Sequence, residues 1–136
     1  MRYLVDANVL SEGTKPCPDA NVVEWLRRNE RLLVVDPIIL GELRFGILLL
    51  APGARRNRLE AWFDQGVSRI QCVPWDADTG RRWAELLASL RARGQAMPLK
   101  DSLIAATALS KNLILVTRNQ RDFAATGVST INPFAA

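Results

Sequence analysis

An alternation constrains the fold of this chain more than any single motif. Short apolar runs at residues 3–5, 31–35, 70–73, 113–117 and 129–131 are each followed, or preceded, by a stretch with helical spacing or a helix-start signal. Runs this short suit buried strands, and helices between them allow parallel pairing by right-handed crossovers. The expected fold class is therefore α/β: one three-layer α/β/α domain over residues 1–136, with a central, mostly parallel sheet of four to five strands.

Local signals place the helices. Asp19 can cap a helix over 20–29, and Asp36-Pro37 combines an N-cap acid with proline at the first helical position, opening a helix that runs to about residue 50. A basic helix is expected over 54–65, with Leu59, Trp62 and Phe63 inward and Arg55, Arg56 and Arg58 outward. That outer face is either simply solvated or a contact for RNA or a protein partner. Asp76 opens and Gly94 closes a helix over 77–93, whose buried stripe is Trp83, Leu86, Leu87 and Leu90. Asp101 opens the next, over 102–111. Residues 9–18 read as a loop or short helix, and 118–127 as a loop with one helical turn. The four tryptophans are expected to anchor core and interfaces rather than to stack on bases.

Composition removes whole classes of chemistry. The chain has no histidine, so imidazole-based triads and imidazole metal ligands are excluded. Cys17 and Cys72 have neither zinc nor disulfide-framework spacing. No phosphate-binding glycine loop is present. What is left is carboxylates, amides, hydroxyls and basic groups, and carboxylates alone suit Mg²⁺ or Mn²⁺. The net charge is +4, with 15 Arg against 3 Lys, a balance that favours an anionic partner such as nucleic acid. No secretory leader and no bilayer-length apolar run is visible, so a cytoplasmic protein without membrane association is expected.

Three acids stand where a parallel sheet would bring them together. Asp6 ends the first strand, and ligands bind outside the carboxyl ends of such strands. Glu42 has Ile38, Ile39, Phe45 and Gly46 as its same-face neighbours, so it is expected on a face turned toward the core. A carboxylate there needs a partner or a metal. Asp101 sits at a helix start, where it can be an N-cap, a site acid or both, since an acid there is held in a fixed orientation. Clustered acids raise one another's pKa, and a divalent cation relieves that repulsion.

Four ordered blocks then carry a family resemblance across the chain. The segments 4–12 (LVDANVLSE), 41–46 (GELRFG), 101–108 (DSLIAATA) and 116–123 (VTRNQRDF), with the closing 131–134 (INPF), resemble PIN-domain proteins. More narrowly they resemble the VapC toxin ribonucleases and their FitB-like branch. The resemblance implies an endoribonuclease toxin of a type II toxin–antitoxin system, with a Mg²⁺- or Mn²⁺-activated water as nucleophile. It implies 5′-phosphate and 3′-hydroxyl products, an RNA substrate, a cognate antitoxin and a homodimer. Asp6, Glu42 and Asp101 match the family's metal-binding acids, and Asn8 matches a polar position that steers the first carboxylate. At the fourth acidic position this chain has Asn119, with Asp122 three residues on as the nearest catalytic acid. Thr117 lies beside the site as a supporting residue, and Arg118 is placed to contact RNA phosphate or to hold an acid.

Two other functions fit parts of the pattern. An aspartyl-phosphate phosphatase would use Asp6 as nucleophile, but it wants a second acid where Asn8 stands. A catalytically weak RNA- or antitoxin-binding module is favoured by Asn119, which supplies no charge.

Overall fold

The computed structural model describes residues 2–134. Its elements are β1 (Tyr3–Val5), α1 (Ala7–Leu10), α2 (Ala20–Arg28), β2 (Leu33–Val35), α3 (Pro37–Leu48), α4 (Ala54–Gln65), β3 (Gln71–Cys72), α5 (Ala77–Ala92), α6 (Leu99–Lys111), β4 (Ile114–Val116) and β5 (Thr130–Ile131). The five strands form one sheet in the order β3-β2-β1-β4-β5, and every pairing is parallel. The α/β expectation and its strand count hold.

The chain leaves β1 toward one side of the sheet to make β2 and β3. It then crosses back to lay β4 against the other side of β1. The strand order therefore reverses between β1 and β4, the place where parallel α/β sheets open a crevice above the carboxyl ends of their strands. The three inner strands, β2, β1 and β4, each bury two of their three side chains. Leu4, Val5, Val34, Val35, Leu115 and Val116 are all sealed, and with Val9, Val22, Ile39, Ile104 and Phe123 they form one core.

Helix ends differ from the sequence expectation at several places. Residues 30–32 form a 3₁₀ turn rather than the start of β2. The segment after β1 is the short helix α1 followed by a 3₁₀ turn over 11–14. Helix α6 begins at Leu99, so Asp101 is its third residue and not its N-cap; Pro98 holds the cap position. The prolyl ring sets a fixed φ there and leaves the first turn without a side-chain cap. Gly94 closes α5 with φ +68°, and Asn112 closes α6 with φ +55°, the left-handed conformation helices commonly end on.

Polar ties join the helices to one another. From the segment just before α5 the Trp75 indole N–H donates to the Leu103 carbonyl at 3.2 Å, and from α5 the Trp83 N–H donates to Ser102 Oγ at 3.0 Å, fastening both to α6. The two rings meet edge to face at 6.2 Å. Tyr3 and Trp25 make a similar pair at 5.0 Å, so these aromatic rings pack as anchors. On α4, Arg56 and, from α3, Arg44 both pair with Glu60, at 3.1 and 3.4 Å.

Asp36 is fully buried at the end of β2. Its Oδ1 accepts from the Ile39 N–H at 2.8 Å, and its Oδ2 accepts from the Thr107 hydroxyl of α6 at 2.7 Å. Burial pushes its pKa up, and these hydrogen bonds oppose the rise. Thr107→Val keeps the shape and removes the donor. It should cost about 1–3 kcal/mol, the penalty for an unmet buried acceptor, as read by urea unfolding.

Candidate active site

Asp6 is the innermost of the sequence-nominated acids. It follows β1 directly, is 5% exposed, and caps α1 by accepting the Ala7 N–H at 2.8 Å on Oδ1. Its Oδ2 accepts the Thr117 hydroxyl, also at 2.8 Å, from the end of β4 across the switch point. The Asp6 pKa is raised from 3.8 to about 6. Desolvation is the largest cause; the Thr117 hydrogen bond opposes it, and the charges of Glu42 and Asp101 add to it. Those couplings bring the three acids into one electrostatic cluster.

Glu42 lies midway along α3, but not on the helix's sealed face. Ile39, Leu43 and Ile47 are buried there, whereas Phe45 is 62% exposed. The expected core-facing position is thus corrected to a half-buried one at the mouth of the crevice. There Glu42 Oε2 takes an ion pair from Lys100 Nζ at 2.8 Å, while its Oε1 is buried without a hydrogen-bond partner. Lys100 was not singled out by the sequence reading, although a signal existed. It stands at the second position of α6, where the helix macrodipole disfavours a cation, so its charge must be answered from outside the helix. Glu42 answers it, and the charges of Asp101 and Asp6 also raise the Lys100 pKa.

Asp101, in the first turn of α6, is partly buried. Desolvation pushes its pKa up, Lys100 pulls it down, and Asp122 and Glu42 push it up again. Asp122 is exposed, in the 3₁₀ segment Gln120–Thr126, and reaches the cluster through its effect on Asp101. Asn119 is exposed too; its backbone N–H donates to Thr117 Oγ1 at 3.1 Å. A cleft of about 370 Å³ runs along residues 118–122.

The neighbours divide their roles differently from expectation. Thr117 steers the Asp6 carboxylate, whereas Asn8 Oδ1 accepts the Arg118 backbone N–H at 3.2 Å and so pins the loop after β4. The Arg118 guanidinium lies 4.6 Å from the centre of the Phe134 ring. Asp36, which the sequence reading took only as a helix cap, proves to be a second buried carboxylate on the neighbouring strand. Both its oxygens are hydrogen-bonded inside the fold, so it is structural.

The donor set is all oxygen, and the unpartnered Glu42 Oε1 beside two acids of raised pKa suits a cation of the Mg²⁺ kind. Among the described residues no three carboxylates are close enough to enclose an ion by themselves. The fit is to an ion that keeps several waters, as Mg²⁺ does.

Similarity to known proteins agrees with this geometry. The family model described as "PIN domain" matches residues 3–128. A VapC ribonuclease, Y4jK of Sinorhizobium fredii, is 34% identical over 96% of each chain. The crystal structure of FitAcB from Neisseria gonorrhoeae matches with a TM-score of 0.88 and 31% identity, over 98% of this chain and 99% of that one. A member of the VapBC family of toxin–antitoxin systems, VapBC-5 from Mycobacterium tuberculosis, matches with a TM-score of 0.62 and 32% identity, over 73% of this chain and 79% of that one. With an acidic crevice at the β1/β4 switch point and a family match over nearly its whole length, the chain belongs to the PIN-domain family.

Proposed function

We propose that this protein is a metal-dependent endoribonuclease and the toxin of a type II toxin–antitoxin pair. The observation that carries the reading is Asp6 sealed at the switch point, with the Lys100–Glu42 pair joining α3 to the first turn of α6, which holds Asp101. The ribonuclease relative and the toxin–antitoxin relative support the same reading. Asp6, Glu42 and Asp101 would hold a Mg²⁺ or Mn²⁺ ion. When bound, that ion supplies positive charge that activates water and offsets charge on the scissile phosphate.

The chain's own residues have separate tasks. Thr117 and the Ala7 N–H each occupy one oxygen of Asp6 and fix its plane, leaving the remaining lone pairs for a ligand. Lys100 holds one oxygen of Glu42 and leaves the other uncommitted. Asp122 adds negative charge beside Asp101, so it takes the fourth acidic role in preference to the neutral Asn119. Arg118 stands at the rim, where its guanidinium suits an RNA phosphate. Attack of water with departure of the 3′ oxygen would leave 5′-phosphate and 3′-hydroxyl ends. A cognate antitoxin and a second copy of the chain are the proposed protein partners. Phe45 and Leu48 on α3 and Leu49 at its C-cap, all exposed, offer apolar surface for one of them.

One observation favours a binding module instead: no three described acids enclose an ion. Activity separates the two readings. Asp6→Asn and Asp101→Asn, each verified as folded, should lower Mn²⁺-dependent RNA cleavage by more than about a hundredfold, beyond what supporting partners of a metal site contribute. Cleavage at the wild-type rate by either variant would remove the proposed site.

The raised pKa of Asp6 makes a second prediction. The folded protein binds this proton up to about pH 6, whereas the unfolded chain releases it near 3.8. Metal-free protein should therefore lose stability as pH rises from about 4 to 7, by on the order of 2–3 kcal/mol from this group. Thermal unfolding in chelator should show the decline, Asp6→Asn should flatten it, and Mn²⁺ at pH 7.5 should reverse it.

A further inference from the structure

The edge of the sheet opposite the acids is basic. Arg2 precedes β1, Arg31 lies two residues before β2, and Arg69 two residues before β3. Because all the strands are parallel, these three positions share one edge, ordered Arg69, Arg31, Arg2 along β3-β2-β1. Their side chains line a single cleft of about 680 Å³, together with the amides Gln65 and Gln71. A second cleft of about 340 Å³ shares Arg31 and adds Arg27 and Arg28.

These guanidiniums are largely uncommitted. Among the described residues Arg28, Arg31 and Arg69 make no ion pair and no side-chain hydrogen bond, and Arg2 donates only to the neutral Gln71. Arg27 is engaged by Glu24 at 2.7 Å. Glu30 is the one acid in the lining of either cleft, and it too makes no ion pair among the described residues. Unpaired arginines gathered this closely repel one another, and a polyanion relieves that repulsion. Guanidinium forks match phosphate oxygens two at a time, and the flanking amides offer further donors.

We infer that this arginine-lined cleft binds the phosphodiester backbone of RNA at a second place, away from the acids. The inference rests on the proposed RNA substrate. Arg2 and Asp6 stand at opposite ends of β1, roughly 13 Å apart at about 3.3 Å per residue. One phosphate cannot touch both. A longer RNA can, by passing round the outer edge of the sheet, where Gln71 and Cys72 of β3 are exposed. The cleft therefore selects for extended or folded RNA and is indifferent to short oligomers.

The test uses the full chain carrying Arg31→Gln with Arg69→Gln, with Arg81→Gln and Arg91→Gln on α5 as a charge-matched control. Binding of a transfer RNA transcript is measured in chelator across a salt series, beside matched duplex DNA and polyglutamate. Thermal unfolding confirms that each variant is folded. The cleft variant should weaken transfer RNA binding on the order of tenfold and flatten the log affinity–log salt slope by about two, while the control keeps its slope. Its Mn²⁺-dependent cleavage of a short single-stranded oligoribonucleotide should match wild type. Unchanged affinity and slope for transfer RNA overturn the inference. So does a loss confined to duplex DNA or to polyglutamate, which would assign the cleft to a different partner. If wild type cuts no RNA yet binds it through these arginines, the nuclease reading fails and the cleft stands.

Discussion

A carboxylate sealed at the end of a strand needs donors, and this fold supplies them from far along the chain. Asp6 and Asp36 end adjacent parallel strands, and each uses one oxygen to cap the helix that follows. The other oxygen takes a threonine hydroxyl, Thr117 for Asp6 and Thr107 for Asp36, across 111 and 71 residues of sequence. The strands are only two or three residues long, so the backbone ladders alone offer few bonds. The two Asp–Thr contacts add directional ties at the level where the strands stop. They fix β1 to the end of β4 and the start of α3 to α6, and so set the frame of the crevice.

The two aspartates differ in what remains free. Asp36 is enclosed, and both its oxygens are hydrogen-bonded within the protein. Asp6 meets other negative charges instead, from Glu42 and Asp101. The same local device thus serves as a fastener on one strand and as the floor of a site on the next. The strand-order reversal accounts for the difference, because only between β1 and β4 does the crevice open.

Much of this was legible from residue order. Apolar runs of a few residues separated by helix signals dictate a parallel sheet, and Asp6 at the end of the first run marks the crevice. The termini of helices were harder to read. Pro98 places the start of α6 before Asp101, where an acid is the more familiar cap. Glu42 was misplaced because helical spacing reports which residues share a face without saying what covers that face; Phe45, its apolar neighbour, is exposed. Thr107 and the second role of Asp36 were invisible for another reason. Each depends on a partner in a different element, and a linear sequence does not pair them.

The Lys100–Glu42 ion pair has a consequence for how the protein exists between reactions. A cluster of acids with no counter-charge would tie folding to metal supply. Here one carboxylate already has a cation, carried on a half-exposed side chain. The lysine is a tethered monovalent counter-charge, present at fixed local abundance whatever ions surround the molecule. The folded chain therefore balances the Glu42 carboxylate from within itself, and that balance does not depend on the ionic surroundings.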